Sequence, residues 1–411
     1  MVIHAFAVVL GRPGAGCSTL LKALSNQHED YHSVFGLLLF SSFTSKQIRK
    51  HFRGDVIYCP EEDIHFPTLT VKQTLTFAAR TRLPSKKARS DISRKQFADE
   101  FVETLLTIFG LRHVENTNVG NASVRGVSGG QRKRVSIAEA LATRALLSAW
   151  DNSTRGLDSS TALEFVRALR IATDNLGLTS IVSLYQASEL LYELFDKVCV
   201  ICEGRMVYFG RASEARRYFY EQGWEPANRQ TTADFLVAVT DPGGRAPRQG
   251  FEKRVPRTAD EMAAAFLGHP FAEENRKEIA KFLASNVITD ASEYDHLTGV
   301  LPSVPSEPRE KKELKQRAYI ESVHAERENR ARPGSPYTIG IARQIREVMV
   351  RRVQILQGDW LAEAITVCSY VIQALVMGTI FFDSSKTTNA YFSRGGLLFL
   401  YVSTLSIRSL Q

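Results

Sequence analysis

The stretch that most constrains this chain is Gly11-Arg12-Pro13-Gly14-Ala15-Gly16-Cys17-Ser18-Thr19. It follows the short apolar run of residues 5–10 and precedes Leu20, Leu21, Ala23 and Leu24. The spacing is that of a P-loop, G-x-x-x-x-G-K-[ST], with Cys17 where the lysine belongs. A buried parallel strand, a Gly-rich turn and a helix start would aim backbone N–H groups and a helix N-terminus at phosphate oxygens. The glycines permit close approach, and the Ser18 hydroxyl suits a magnesium ion. A thiol cannot supply the ammonium that reaches the outer phosphates, so the loop should bind a nucleotide better than it helps cleave one. The bland alternative is an ordinary Gly-rich strand–helix turn.

Two later stretches weigh against that alternative. In Val127-Ser128-Gly129-Gly130-Gln131, a serine and two glycines open a helix whose first turns are basic, which makes a second N-terminus favourable to anions. Next, residues 145–150 form an apolar strand that ends in Asp151, the Walker B pattern in which a carboxylate holds magnesium directly or through water. A hydrolysing site commonly carries a second carboxylate there as base, but the next residue is Asn152, an amide. Gly156, Leu157 and Asp158 follow before a helix over 159–172, and a further buried strand over 178–184 ends at Tyr185-Gln186. Earlier, a strand near 55–58 leads into a Pro-marked loop with Glu61, Glu62 and Asp63.

The remaining elements are read from periodicity and punctuation. Helices are expected over 70–79, opened by a Thr cap, and over 97–109, stopped by Gly110. Residues 83–93 read as a surface loop, and 198–209 as a hairpin turning at Glu203-Gly204. A short helix over 212–220, a helical region over 223–238, a loop or linker over 241–257 and one charged amphipathic helix over 260–283 come next. Residues 303–333, dense in both charge signs, read as a solvated helix and loop. From 337 to 360 the chain is amphipathic, with Arg343, Arg346, Arg351 and Arg352 among aliphatics. Residues 364–382 are then mostly apolar, long enough to span a bilayer as a helix, and the preceding arginines place its N-terminus in the cytosol. A second apolar run begins over 395–407. A buried soluble helix is the alternative for 364–382.

Bulk properties agree with this reading. The 411 residues leave room for two or more domains, and 44% hydrophobic content supports a sizeable core. A net charge of +8 is modest for the length and does not mark a nucleic-acid binder. Five scattered cysteines form no disulfide framework, and Cys199 and Cys202, three apart on a strand, should face opposite sides of a core. No signal peptide is expected at the opening.

The order P-loop, Val127–Gln131, Asp151 strand, apolar segment resembles the ABC transporters, with the nucleotide-binding domain ahead of the membrane domain. The strings Gly11–Thr19 and Trp150–Asp158 resemble the first nucleotide-binding domain of fungal pleiotropic drug resistance transporters. So do Cys17, Asn152, Tyr185 in the place of the family's switch histidine, and Glu61 in the place of its glutamine. The resemblance implies an α/β P-loop NTPase domain with a parallel sheet and a helical subdomain, followed by transmembrane α-helices. Boundaries are expected at 1–225 for the nucleotide-binding domain, 226–335 for a charged cytosolic linker and 336–411 for the start of the membrane domain. It implies ATP and Mg2+ as cofactors, with Gly11 to Thr19, Glu61 and Asp151 binding nucleotide, and Ser18 and Asp151 the metal. Val127 to Gln131 would be the signature and Gly156, Leu157 and Asp158 the D-loop. Implied partners are a second nucleotide-binding domain, the lipid bilayer and an amphipathic small molecule, in a multi-pass protein of the plasma membrane with the nucleotide-binding domain cytosolic. Relative to that family, a leading region and a second half are expected elsewhere, so the chain reads as a fragment or truncated product. The implied mechanism is asymmetric: a degenerate ATP site here, and a signature donated to the other half's site. The rivals are a truncated nucleotide-binding module that does not transport and a soluble ATPase of the DNA-repair type.

Overall fold

Five apolar residues in a row, Phe6–Leu10, make β1, and all five are buried. Such a run suits the middle of a parallel sheet covered on both faces. The computed structural model describes residues 5–85, 89, 92–286, 307–328, 331, 335, 337–380, 395, 396 and 399. In chain order β1 is followed by α1 (Cys17–Leu24), the small hairpin β2 (Leu39–Phe40) and β3 (Phe43–Thr44), α2 (Ser45–His51) and β4 (Val56–Cys59). Three helices come next, α3 (Val71–Thr81), α4 (Arg94–Ile108) and α5 (Gly129–Ala142), then β5 (Leu147–Trp150), α6 (Ser159–Leu176) and β6 (Thr179–Ser183). After α7 (Glu189–Tyr192) come β7 (Lys197–Cys202), β8 (Arg205–Arg211), α8 (Ala212–Glu221), β9 (Trp224–Glu225), α9 (Thr232–Thr240) and β10 (Ala246–Pro247). Helices α10 (Ala259–Leu267) and α11 (Pro270–Asn286) follow, with further helices at Arg309–Glu326, Ile341–Gly358 and Trp360–Ile380.

The main sheet has the order β4-β5-β6-β1-β7-β8, parallel except for the β7–β8 hairpin. Alternation on β1 divides the core. Phe6, Val8 and Leu10 face the larger cluster with Trp150, while Ala7 and Val9 face a smaller one with Leu21 of α1. Cys199 and Cys202 fall in different clusters, as their spacing requires. Helix α3 packs on both α4 and α5, and α5 lies against β4 of the sheet. Several helices begin where Ser or Thr stands three residues before Gln or Glu: Thr44 with Gln47, Thr70 with Gln73, Ser128 with Gln131, and Thr258 with Glu261. In each pair two otherwise orphaned N–H groups are satisfied reciprocally.

Some expectations fail. The single helix over 260–283 is two, because Pro270 cannot continue a helix and instead opens α11. Trp224 starts a strand, not a helix, and pairs with Pro247 inside the stretch read as a linker. Residues 83–93 are not simply a surface loop, since Leu83, Ser85 and Arg89 are buried. Nor is the helix Arg309–Glu326 fully solvated. Its Tyr319, Ile320 and Val323 pack on Phe43, Ile48 and Phe52, and the Tyr319 hydroxyl donates to Asp55 at 2.8 Å.

The chain divides into two units, residues 1–348 and 349–411. Helix Trp360–Ile380 covers most of the segment expected to span a membrane and exposes Ile365, Val367, Val371, Ile372, Leu375 and Val376. Among the described residues, however, no helix is long and apolar enough to cross a membrane. The last two residues of the expected span, 381 and 382, lie outside the described residues. Most of the second apolar run, 395–407, lies there too.

Candidate functional site

Strand register determines what stands at the carboxyl edge of the sheet. Cys59 pairs with Trp150, Trp150 with Val182, and Val9 with Ser183. The residues that follow these strands, Gly11, Glu61, Asp151, Asn152 and Tyr185, are therefore brought to one edge, where ligands bind in open α/β sheets. They line one cleft of about 610 Å³ together with Arg12 to Thr19, Arg155, Ser183 and Leu184.

The loop wall is shaped by local constraints. A Cβ at Gly11 would come 2.6 Å from the Ile201 carbonyl, so only glycine fits there. Gly14 and Gly16 have φ of 82° and 107°, the left-handed region that glycine enters freely. Gly16 caps α1 without any side-chain hydrogen bond. The Arg12 N–H donates to Thr240 Oγ1 at 2.9 Å and the Ala15 N–H to the Arg12 carbonyl at 3.0 Å. Among the described residues no acceptor meets the N–H groups of Gly14, Gly16, Ser18 or Thr19. Four unpaired donors at a helix start suit an anion. Cys17 stays neutral in it: burial first, and the charge of Asp151 second, push its thiol up to about 11.

Asp151 is buried and firmly held. It accepts from the Tyr58 hydroxyl and from the Ser183 hydroxyl, each at 2.7 Å, and its own N–H donates to the Cys59 carbonyl at 2.9 Å. Burial, then the bond to Asp151, raises the Tyr58 phenol well above its ordinary value, so it remains a donor. A carboxylate accepts about four hydrogen bonds, leaving Asp151 capacity for a cation or its water. With Ser18 in the same cleft, the donor set fits Mg2+, which takes few protein ligands and keeps phosphates and waters as the rest.

Asn152 adopts φ 45°, tolerable for asparagine, and its N–H donates to Ser183 Oγ at 2.8 Å. Its Oδ1 is buried and, among the described residues, has no hydrogen-bond partner. At neutral pH the amide takes up no proton, so it offers the cleft no general base. Tyr185 is exposed at the cleft mouth, where it carries a phenol and no imidazole. Glu61 forms an ion pair with Arg155. The Arg12 guanidinium is committed to Glu203 at 2.8 Å and reaches Asp241 at 3.9 Å.

Val127, Ser128, Gly129, Gly130 and Gln131 do not line this cleft. Ser128 accepts from the Gln131 N–H at 3.3 Å, and the Ser128 N–H donates to Gln131 Oε1 at 3.0 Å. Among the described residues nothing accepts from the N–H groups of Gly129 and Gly130, and a Cβ on Gly129 would meet no atom within 4 Å. Gly130 sits beside Gly156, whose carbonyl would lie 3.9 Å from an added Cβ. Leu157 packs on the larger core cluster, while Asp158 caps α6, accepting from Thr161 N–H at 3.1 Å and Thr161 Oγ1 at 2.7 Å. A hydrogen bond from the Ser160 hydroxyl first, and the two from Thr161 next, hold the Asp158 carboxyl below its ordinary range. Tyr58, Ser183 and Arg155 were not singled out from the sequence. The available signal was position alone, one residue from a strand end or inside the Trp150–Asp158 string.

Residues 4–155 match the family model described as ABC transporter. The chain is 41% identical over 396 residues to the multidrug resistance protein CDR2 of Candida albicans, covering 96% of this chain and 25% of that protein. It is 43% identical over 409 residues to the ABC multidrug transporter SNQ2 of Candida glabrata, covering 98% and 26%. It is 39% identical over 412 residues to the brefeldin A resistance protein of Schizosaccharomyces pombe, covering 98% and 26%. The chain thus spans about a quarter of the length of the curated relatives it matches.

Proposed function

We propose, from the premise that residues 4–155 carry an ABC transporter domain, that this chain is the first ATP-binding portion of an efflux transporter. Its own cleft would hold MgATP with little turnover, and its signature would complete a hydrolysing site on a second nucleotide-binding domain. One observation carries this reading: the cleft combines a free N–H cradle and a held Asp151 with a neutral Cys17 and an amide at Asn152. The cradle would bind the phosphates, and Ser18 and Asp151 would hold Mg2+, which screens phosphate charge when bound. Asn152 cannot take a proton from water at neutral pH, and Tyr185 offers no imidazole to sense the outer phosphate. The Gly129 and Gly130 N–H groups, outside the cleft and unobstructed, are available to a phosphate held elsewhere.

The names of the relatives support export of drug-like compounds as the work of the complete protein. Exposed aliphatics on helix Trp360–Ile380 support a membrane role for residues 364–382, with the arginines at 343, 346, 351 and 352 on the cytosolic side. The test is MgATP binding by the purified chain alongside steady-state phosphate release. Saturable binding with negligible release is expected. Phosphate release at the rate of a working transporter would reject the degenerate site, and absence of binding would reject the nucleotide reading. Carbonate extraction of membranes tests the last segment, which should remain in the pellet.

A further inference from the structure

The cleft lacks its usual lysine, yet it is not short of cations. Arg12 and Arg155 are the basic residues that line it. Arg12 is turned to Glu203 and Asp241, neither of which lines the cleft. Arg155 is different. Its backbone is pinned by a hydrogen bond from its N–H to the Asn152 carbonyl at 3.0 Å, just ahead of Gly156 with φ 78°. Its side chain is 71% exposed and, among the described residues, meets a single carboxylate, Glu61, which lines the same cleft. An exposed ion pair is weak and readily screened. A polyphosphate offers a guanidinium several charged oxygens in bidentate geometry, a stronger partner than one carboxylate.

We propose that Arg155 supplies the phosphate-binding cation that the P-loop lacks, and that Glu61 holds it until a nucleoside triphosphate displaces the carboxylate. This rests on the nucleotide-binding reading above. It also links two departures from the family pattern: a neutral residue at 61 could not restrain Arg155, and a lysine at 17 would make Arg155 superfluous.

The experiment is titration of the full chain with MgATP and with AMP, comparing wild type, Arg155→Ala, Arg155→Lys, Glu61→Gln and the Glu61→Gln/Arg155→Ala pair. Loss of a charge-assisted contact should weaken ATP about ten- to a hundredfold in Arg155→Ala, and AMP much less, with Arg155→Lys in between. Glu61→Gln should tighten ATP in the wild-type background and change nothing in the Arg155→Ala background. Equal loss for ATP and AMP, unchanged ATP affinity in Arg155→Ala, or tightening by Glu61→Gln without Arg155 would each overturn the proposal. If wild type binds ATP and Arg155 proves neutral, only this assignment fails. If wild type binds no adenine nucleotide, the nucleotide reading fails and takes this one with it.

Discussion

Gly11→Ala isolates the packing of the P-loop from its chemistry. An alanine Cβ there would lie 2.6 Å from the Ile201 carbonyl, 3.0 Å from the Ala15 Cβ and 3.2 Å from the Cys17 Sγ. The nearest of these is backbone of β7, a strand paired on both sides, so it cannot yield cheaply. Overpacking of this kind costs about 1–3 kcal/mol. In a domain of this size that corresponds to about 2–12 °C in melting temperature. Two controls separate the causes. Gly14→Ala meets no atom within 4 Å but has φ 82°, so it should lose about 1–2 kcal/mol to backbone strain alone. Gly129→Ala has neither contact nor positive φ and should stay within about 0.5 kcal/mol of wild type. Calorimetric melting with and without MgATP reads all three. The nucleotide-induced rise should shrink for Gly11→Ala and Gly14→Ala and persist for Gly129→Ala. The reasoning is refuted if Gly11→Ala melts with wild type and keeps its ATP response.

Further expectations follow from the same contacts. Tyr58→Phe deletes a donor to the buried Asp151 carboxylate and should lower stability by about 1.5–3 kcal/mol, read from urea unfolding; an unchanged midpoint contradicts the network. Cys17 is pushed up to about 11 and Cys59 and Cys199 to about 12, so in alkali the unfolded chain sheds these protons first. Stability should therefore fall as pH rises from about 9 toward 11, by up to about 1.4 kcal/mol per pH unit per thiol; a urea midpoint flat across that window would refute it. In a complete transporter, Gly129→Asp should abolish ATP turnover while leaving folding intact, since among the described residues its Cβ meets no neighbouring atom within 4 Å. Ser18→Ala, in the cleft lacking a base, should cost less, and the reverse order at equal expression would overturn the asymmetric assignment.

What the sequence made legible was local. The strand–turn–helix around Gly11 to Thr19 depends on spacing within one stretch, and so does the Thr cap that opens the helix at 70. The two-helix break at Pro270 was equally local and was missed, because amphipathic charge spacing on either side hid a plain stop signal. The docking of the helix Arg309–Glu326 was hidden differently. Three apolar residues among dense charge suffice when an aromatic cluster waits on Phe43 and Phe52, 264 residues away in the pairing of Tyr319 with Asp55. Asp151 was found by its strand, but its donors Tyr58 and Ser183 arrive from neighbouring strands through the sheet register. Glu61 and Arg155, 94 residues apart, meet only because β4 and β5 run side by side.

The placement of α5 gives the asymmetric reading its physical basis. A cleft built from the ends of β1, β4, β5 and β6 has its phosphate donors in the loop before α1. The unpaired donors of Gly129 and Gly130 belong to another helix start, adjoin Gly156, and do not line that cleft. Free N–H groups at a helix start are costly unless water or a ligand meets them, so their exposure at two separate places favours two anions, not one. The capping pair of Ser128 and Gln131 uses up the side chains that would otherwise cover Gly129 and Gly130, and the absence of Cβ atoms leaves the approach open. On the proposed reading, a second domain supplies the phosphate for this helix together with a base, and receives in exchange the signature N–H groups that complete its site. Each half then lacks what the other provides, and nucleotide held in the cleft described here serves to keep the two together.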